Sequence, residues 1–288
     1  MDIVVIFNGL GNQMSQYAFY LAKKHKNPKC RFIFDKTNKL NHNGYELNKL
    51  FGIEINENFE YKFLYFLYQL KKNRYFSPIL RLLSIKIIGE DKRYIYNKDF
   101  VERGSFGINY YWGGWPSEKH FIDISSIVKE TFVFPEQEDA DFLNLKNQID
   151  ACSNSVSIHI RRGDYLNASN DMYQFGGVTS IDYFNRAIKY LKDCFSDTSF
   201  FVFSDDLSWC MEQFIGSEFV FIDCNRGVNS WRDMYMMSLC KHHINSNSTF
   251  SWWGAWLSNY SDSITICPRE YIRNLSTPDV YPDTWIKI

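Results

Sequence analysis

The chain has 288 residues, 45% of them hydrophobic and 23% charged, with 32 basic against 33 acidic side chains. This composition excludes a disordered, collagen-like or coiled-coil protein, and the length allows one large domain or two. A net charge of −1 gives no global field to draw in a polyanion, so no nucleic-acid partner is expected. Aromatic residues reach 18%; they build cores and also offer flat faces to sugar rings.

The chain opens with MDIVVIF, whose apolar run Ile3–Phe7 reads as a strand. Asp2 stands where a signal peptide carries positive charge, so no targeting segment is read here. A helix-like run from Asn12 to Lys26 and a second strand, RFIFD, follow. Residues 61–88 hold Lys62, Lys71, Lys72, Arg74, Arg81 and Lys86 among large apolar side chains, and no acid. They read as two core-packed helices separated at Pro78, with lysines reaching to water, or as a basic amphipathic face for peripheral membrane contact. No stretch of about 18 uncharged apolar residues is present, so no span is expected. Seven cysteines without a two-residue spacing fit reduced thiols in a cytoplasmic protein, not a zinc ribbon.

Near residue 150 the pattern becomes regular. Strands are expected at 156–160, 200–204, 219–223, 242–245 and 263–267. Helices are expected after Ser180, from Asp206 to Ile215, after Ser230 and from Ser251 to Ser258. Strand–helix alternation at this spacing gives a parallel sheet covered on both faces, a Rossmann-like unit. Ligands bind such sheets beyond the strand carboxyl ends, which singles out the residues after Ile160, Phe203, Ile222 and Ile244.

His159-Ile-Arg161-Arg162-Gly-Asp164-Tyr leaves the first of these strands. Two guanidinium forks suit a diphosphate, and Asp164 can orient one of them or take a proton. A purely structural Arg–Asp pair is the alternative. Asn245 to Gly254, NSNSTFSWWG, leads into a helix whose start, with Ser248 and Thr249, suits an anion. Simple serine capping, with tryptophans in the core, is the alternative there. Asp205 and Asp206 read as a helix cap rather than a metal site, and His242–His243 as structural. Gly9-Leu-Gly11-Asn12-Gln13 falls short of a dinucleotide fingerprint but lets backbone approach a ligand. No P-loop, G-x-S-x-G or H-E-x-x-H motif is present.

These residues resemble a known family. GLGNQM (9–14), QYA (16–18), YWGGWPSEKHF (111–121), HIRRGDY (159–165), FSDD (203–206) and NSTFSWWGAWLS (247–258) are similar, in order, to the α-1,2-fucosyltransferases of glycosyltransferase family 11. Ser15 and Trp115-Pro116 depart from the family pattern, with helix packing and acceptor choice the features in question.

The resemblance implies an α/β GT-B fold, two Rossmann-like domains facing a cleft. They are expected at 1–150 and 151–268, with a tail, 269–288, packing back on the N-terminal domain. It implies inverting transfer of fucose from GDP-β-L-fucose to the 2-hydroxyl of a terminal β-galactoside, with no metal or other cofactor. Arg161 would hold the β-phosphate. His159, Arg162, Asp233, Ser248, Thr249, Phe250 and Gly11 would complete the donor site, and Asn12 would lie near the diphosphate and the acceptor. Asp164 is the base candidate nearest in sequence, but a carboxylate tied to arginine is a poor base, so that role stays open. His42, Tyr45, Trp112 and Trp115 are the candidate acceptor contacts. The acceptor would be a galactose-terminated oligosaccharide or lipid-linked glycan. A different fucose acceptor and a non-catalytic glycan-binding module are the alternative readings.

Overall fold

The structure is a computed structural model that describes residues 1–38, 43–102, 104, 106–167 and 171–288. The chain divides into two units, Met1–Pro135 and Glu136–Ile288.

The first unit is a four-stranded parallel sheet of β1 (Asp2–Ile6), β2 (Arg31–Phe34), β3 (Ile85–Gly89) and β4 (Ile108–Trp112) in the order β2-β1-β4-β3. Its helices are α1 (Leu10–Lys26), α2 (Glu46–Phe51), α3 (Phe59–Lys72), α4 (Ser77–Leu82), α5 (Asp99–Glu102) and α6 (Ser125–Thr131). Alternate residues of β1 serve opposite faces. Ile3 and Val5 pack beneath α3 and α4 with Leu64, Leu67 and Leu80, while Val4 meets Phe19 and Tyr20 of α1. Gly9 stands at the N-cap in extended conformation, so α1 begins two residues before the expected Asn12. Two helices separated by a break near Pro78 are borne out, with the proline in the first turn of α4, where its missing N–H is harmless.

The second unit is a six-stranded parallel sheet. It comprises β5 (Ser155–Ile160), β6 (Ser199–Ser204), β7 (Phe219–Phe221), β8 (His242–Ile244), β9 (Thr265–Cys267) and β10 (Ile286–Lys287) in the order β10-β9-β8-β5-β6-β7. Numbered within the unit this is 3-2-1-4-5-6 read from β7, the Rossmann order. Its helices are α7 (Ala140–Ala151), α8 (Ile181–Cys194), α9 (Leu207–Gln213), α10 (Trp231–Leu239) and α11 (Thr249–Trp256). Ser180 caps α8, accepting from Tyr183 N at 3.3 Å. Ser230 holds the N-cap position of α10 without a side-chain cap bond.

Two expected boundaries move. The unit border lies at 135/136 rather than 150/151, because Phe142 and Ile149 of α7 pack with Phe201, Phe203, Met236 and Met237 of the second unit. The tail 269–288 also belongs to the second unit, not the first. β10 pairs with β9, and the Val280 carbonyl accepts from the buried Trp252 indole at 2.9 Å. A buried indole N–H needs such an acceptor, and the tail supplies it. All seven cysteines are free thiols, four of them buried. Among the described residues, no helix is long and apolar enough to cross a membrane.

Candidate active site

In the second unit the strand order reverses between β5 and β8, and the loops leaving these two strands flank the crevice where such sheets take ligands. HIRRGDY leaves β5 and NSNSTF leaves β8, so the topology brings the two strongest motifs together. His159 is buried at this point, its Nδ1 hydrogen-bonded to Ser246 Oγ across the crevice at 2.7 Å. Burial, with Arg161 adding to it, pushes its pKa down to about 3, so the ring is neutral. Phe250, the second residue of α11, lies 5.8 Å from the imidazole, ring to ring.

The adjacent arginines part company. Arg161 Nε donates to Asp164 Oδ1 at 2.9 Å and lies 3.3 Å from Asp205 Oδ2. Burial opposes its charge, but the two carboxylates outweigh that and hold the guanidinium above its ordinary range. Only Nε is used, and among the described residues neither terminal amino group meets an acceptor. These are the two prongs with which an arginine grips a phosphate. Arg162 turns to α9: its Nε donates to Asp206 at 3.0 Å, and its guanidinium lies 3.9 Å over Trp209. That pairing anchors the loop through Nε alone; as at Arg161, neither terminal amino group meets an acceptor among the described residues, and Arg161 differs in being held by two carboxylates. Successive residues leaving a strand point to opposite sides, which is why the two arginines part.

Asp205 accepts from Arg162 N at 2.9 Å and Gly163 N at 3.1 Å, fixing the turn that carries Arg161. Asp206 caps α9 through Trp209 N at 3.3 Å, as expected. Asp164 is likewise committed to Arg161. His242 accepts from Ile264 N at 3.0 Å, and His243 bonds Ser157 Oγ at 2.8 Å; both are structural.

The NST loop is held by several buried hydrogen bonds, with Asn245 Nδ2 and Asn247 Oδ1 buried and without a partner among the described residues. Asn247 donates to the Phe175 and Tyr271 carbonyls at 2.8 and 2.9 Å, and Tyr183 OH donates to Asn245 O at 2.6 Å. Ser248 Oγ caps α11 by accepting from Phe250 N at 3.2 Å, and Ser251 Oγ turns to the Ser246 and Ser248 carbonyls. These serine hydroxyls shape the helix start, and what they present is its backbone N–H groups beside the nearly buried Thr249. Trp252 and Trp253 are core residues. Asp233, in the first turn of α10, accepts from Asn225 Nδ2 at 2.8 Å. Burial raises its carboxyl to about 7 against the pull of Asn225 and Arg226.

In the first unit β1 and β4 are the two central strands. Asn8 leaves β1 with φ +67°, and Gln16 ties the two strand ends by accepting from Phe7 N at 2.9 Å and donating to Gly113 O at 3.0 Å. Gln13 is structural: it donates to Asn8 O and Gly44 O and accepts from Glu46 N. Gly11 is buried and receives Ser15 Oγ at its carbonyl, while Asn12 stays half-exposed in the first turn of α1.

Of the acceptor candidates, Trp112 is 42% exposed and stacked on Phe7 at 5.0 Å. Trp115 is 0% exposed, stacked on Phe19 at 4.1 Å within the core, and so presents no face to a sugar. Its backbone bends into the left-handed region, φ +50°, and turns the indole inward. Tyr45 is half-buried against Phe34, and His42 lies outside the described residues.

One residue escaped the sequence reading. Glu90 follows β3, and its Oε2 accepts from Gly114 N and Trp115 N, both at 2.8 Å. Its Oε1 is buried and has no donor among the described residues. Burial raises the carboxyl to about 8 despite the two N–H groups. Asn12 and Glu90 share a neighbour in Gly114: a methyl group built there would lie 3.8 Å from both Asn12 Oδ1 and Glu90 Oε2. The signal available was an acid directly after an apolar strand, the same rule that picked out Arg161.

The model of the family described as glycosyl transferase family 11 matches residues 2–288. An Escherichia coli alpha-1,2-colitosyltransferase is 35% identical, covering 100% of this chain and 99% of its own. The O-antigen biosynthesis glycosyltransferase WbnK of the same organism is 31% identical over 97% and 98%. A galactoside alpha-(1,2)-fucosyltransferase 1 from Leontocebus fuscicollis is 26% identical over 46% of this chain and 38% of its own. Among solved structures, NodZ alpha-1,6-fucosyltransferase soaked with GDP-fucose aligns with a TM-score of 0.51 and 13% identity, covering 96% of both chains. That likeness carries the fold, a GT-B arrangement of two parallel-sheet units. With the family model spanning nearly every residue and two full-length relatives above 30% identity, the chain belongs to glycosyl transferase family 11.

Proposed function

We propose that this glycosyltransferase moves L-fucose from GDP-β-L-fucose to the 2-hydroxyl of a terminal β-galactoside, with inversion and without a metal ion. The observation that carries this reading is Arg161. It is held by two carboxylates through Nε alone, with both terminal amino groups left for a phosphate, and it faces a helix start across the β5/β8 crevice. Negative charge builds on the departing GDP as the sugar becomes oxocarbenium-like. Fixed donors already aimed at that charge need no reorganisation when it develops. Arg161 and the backbone N–H groups at the start of α11 are such donors. His159, neutral and bonded to Ser246, keeps the crevice walls in register, Phe250 lies against it, and Asp233 is the carboxyl for the base edge of guanine.

The first unit carries the acceptor chemistry in this reading. Glu90 takes the role left open by Asp164: with Oε2 fixed by two N–H groups, Oε1 is an acceptor awaiting a donor, and a sugar hydroxyl is one. Asn12 and Trp112 supply an amide and an exposed ring beside it.

A second donor has a specific observation in its favour. The full-length relative at 35% identity is a colitosyltransferase, and colitose is fucose lacking the 3-hydroxyl. The test is GDP release from GDP-fucose and from GDP-colitose with a β-galactoside, with and without EDTA, and linkage analysis of the product. We expect an α-1,2 product, faster with GDP-fucose and indifferent to EDTA. A faster reaction with GDP-colitose assigns the second donor. Release that needs a divalent ion, or none with any β-galactoside and either donor, overturns the reading. Transfer to a different acceptor would appear in a glycan screen, and GDP affinity separates either transferase from a glycan-binding module.

A further inference from the structure

The α3–α4 layer of the first unit covers the sheet with its inner side, where Leu64, Leu67, Tyr68 and Leu80 pack on Ile3, Val5, Phe7 and Ile33. A helix at a protein surface ordinarily turns polar side chains outward. Here the outward positions are Phe59, Phe63 and Phe66 on α3 and Ile79, Leu82 and Leu83 at α4, with Phe59 85% and Leu82 86% exposed. Phe106, 86% exposed, stands just before β4, where Ile108 N donates to Ser84 O and brings it beside Leu83.

The charge around this apolar face has one sign. Lys62, Arg74, Arg81 and Lys86 are exposed, and among the described residues none of them forms an ion pair. No acid occurs from residue 61 to 88. The two acids at the start of α3 are already taken, Glu57 by Lys36 and Glu60 by Arg31. Arg74 lies 4.7 Å over the exposed Tyr75 ring, an aromatic–basic pairing suited to the headgroup level of a bilayer. Leu82, Leu83 and Phe106 precede β3 and β4, at the amino edge of the sheet. Asn12, Glu90 and Trp112 lie at its carboxyl edge, beyond the ends of β1, β3 and β4 rather than on the outer side of α3 and α4.

We propose that the outer face of the α3–α4 layer docks on an anionic lipid bilayer. The phenylalanines and leucines enter the boundary between headgroups and acyl chains, and the four cations meet headgroup phosphates. No span is needed for such contact. The proposal does not rest on the donor or acceptor assigned above.

The test is co-sedimentation of the whole chain with vesicles of phosphatidylglycerol and phosphatidylcholine, against phosphatidylcholine alone. Binding is expected to the anionic vesicles, weakening as salt is raised. Each basic residue near the surface strengthens binding about fivefold, so Lys62→Glu with Arg81→Glu is expected to lose binding at least 25-fold, about the square of that factor. Phe63→Ser with Leu82→Ser is expected to lose at least about tenfold, with an unchanged unfolding midpoint. A polarity-sensitive dye on Leu82→Cys should shift to the blue on the same vesicles, which tests the contact without altering the rest of the face. Failure to bind anionic vesicles, equal binding to uncharged ones, or binding that survives both double substitutions would overturn the proposal. So would self-association in solution that Phe63→Ser abolishes, which would give the face to a second copy.

Discussion

The second sheet reverses its strand order once, between β5 and β8, and in the first sheet β1 and β4 are the central pair; the strand ends at the two places carry opposite chemistry. At β5/β8 the groups turned to the crevice are a guanidinium and a helix start, on a loop fixed by Asp205 and Asp164. In the first unit the polar groups are an amide, Asn12, and the carboxyl of Glu90, which reaches from the end of β3 to the turn after β4, with Gln16 tying the β1 and β4 ends together. One arrangement suits an anion that gains charge, the other a hydroxyl that loses a proton. Within the first unit the carboxyl edge holds a second buried acid, Asp35, yet the two differ. Asp35 accepts from Thr37 Oγ1 at 2.6 Å, Lys72 Nζ at 2.9 Å and Tyr68 OH at 3.0 Å, and these bonds lower its pKa against the effect of burial. Glu90 has one oxygen satisfied and one not, and its pKa is raised. A saturated carboxylate supports a fold; a half-satisfied one has capacity for a substrate.

The largest effect is expected at Arg161. Arg161→Ala should lower turnover about a hundred- to thousand-fold, the usual loss of one donor aimed at a developing charge. Arg161→Lys should recover little, because a point charge lacks the two-pronged grip. Arg162→Ala should do the reverse: turnover within about tenfold, and a lower melting temperature from the lost Asp206 pair and Trp209 stacking, together about 1–2 kcal/mol. Steady-state kinetics and thermal unfolding of the three variants check this. Equal losses of turnover at the two arginines would mean that both grip the diphosphate, and the contrast drawn between them would fail.

That contrast was only half legible in the sequence. The order of strands and helices after residue 150 could be read because buried parallel strands are short apolar runs and their helices carry clear caps, as Ser180 and Asp206 do. The carboxyl-end rule then found Arg161, His159 and the NST loop without coordinates. It could not say which arginine faces the crevice, because that depends on the side of the strand from which each side chain departs. Nor could it separate Trp112 from Trp115. Trp112 ends an apolar strand and Trp115 follows it by three residues, and a left-handed backbone at Trp115 sends that ring into the core. The first unit was harder throughout. Its crossovers are long and irregular, and Glu90 has no motif around it, only a strand before it. The tail was misassigned because its two-residue strand, β10, has no periodicity of its own.

Glu90→Gln tests the other side of the comparison. The amide oxygen can still accept from Gly114 and Trp115, so the loop should hold, while turnover should fall about a hundredfold if the carboxylate removes a proton. The wild-type rate should rise with pH toward the raised pKa of about 8, and the variant should lose that limb. Stability gives an independent readout. With a folded pKa near 8 against an ordinary 4.5, the native state binds the extra proton between those values, so this group makes the protein less stable as pH rises through that window. The difference in melting temperature between variant and wild type should therefore widen in the variant's favour from pH 5 to 8. Asp233 has the same sign but a lower window, toward about 7. Asp233→Asn should raise the Kd for GDP by about tenfold, the value of a hydrogen bond to a charged group, with little change in turnover at saturating donor. A flat difference curve for Glu90→Gln, or unchanged turnover, would remove the carboxyl from the chemistry and leave it as a loop support.

The smallest expected effect separates the two tryptophans. Trp112→Ala removes an exposed ring stacked on Phe7, so the acceptor KM should rise a few-fold, about what one ring face contributes, with kcat and melting temperature nearly unchanged. Trp115→Phe removes part of a ring enclosed by Phe19, Phe100 and Tyr111, and should lower stability by about 1–2 kcal/mol while leaving the acceptor KM alone. Acceptor titrations at saturating donor, beside thermal unfolding, read both. The pair matters because the rings lie three residues apart at the end of β4 and differ in sequence context hardly at all. If Trp115→Phe shifted the acceptor KM and Trp112→Ala did not, the sugar would be meeting the β4 loop from its core side, and the Gly113–Trp115 turn would have to open before any acceptor could bind. The hydrogen bonds from Gly114 N and Trp115 N to Glu90 would then break on binding, and the same carboxyl that fixes the turn would be released beside the incoming hydroxyl.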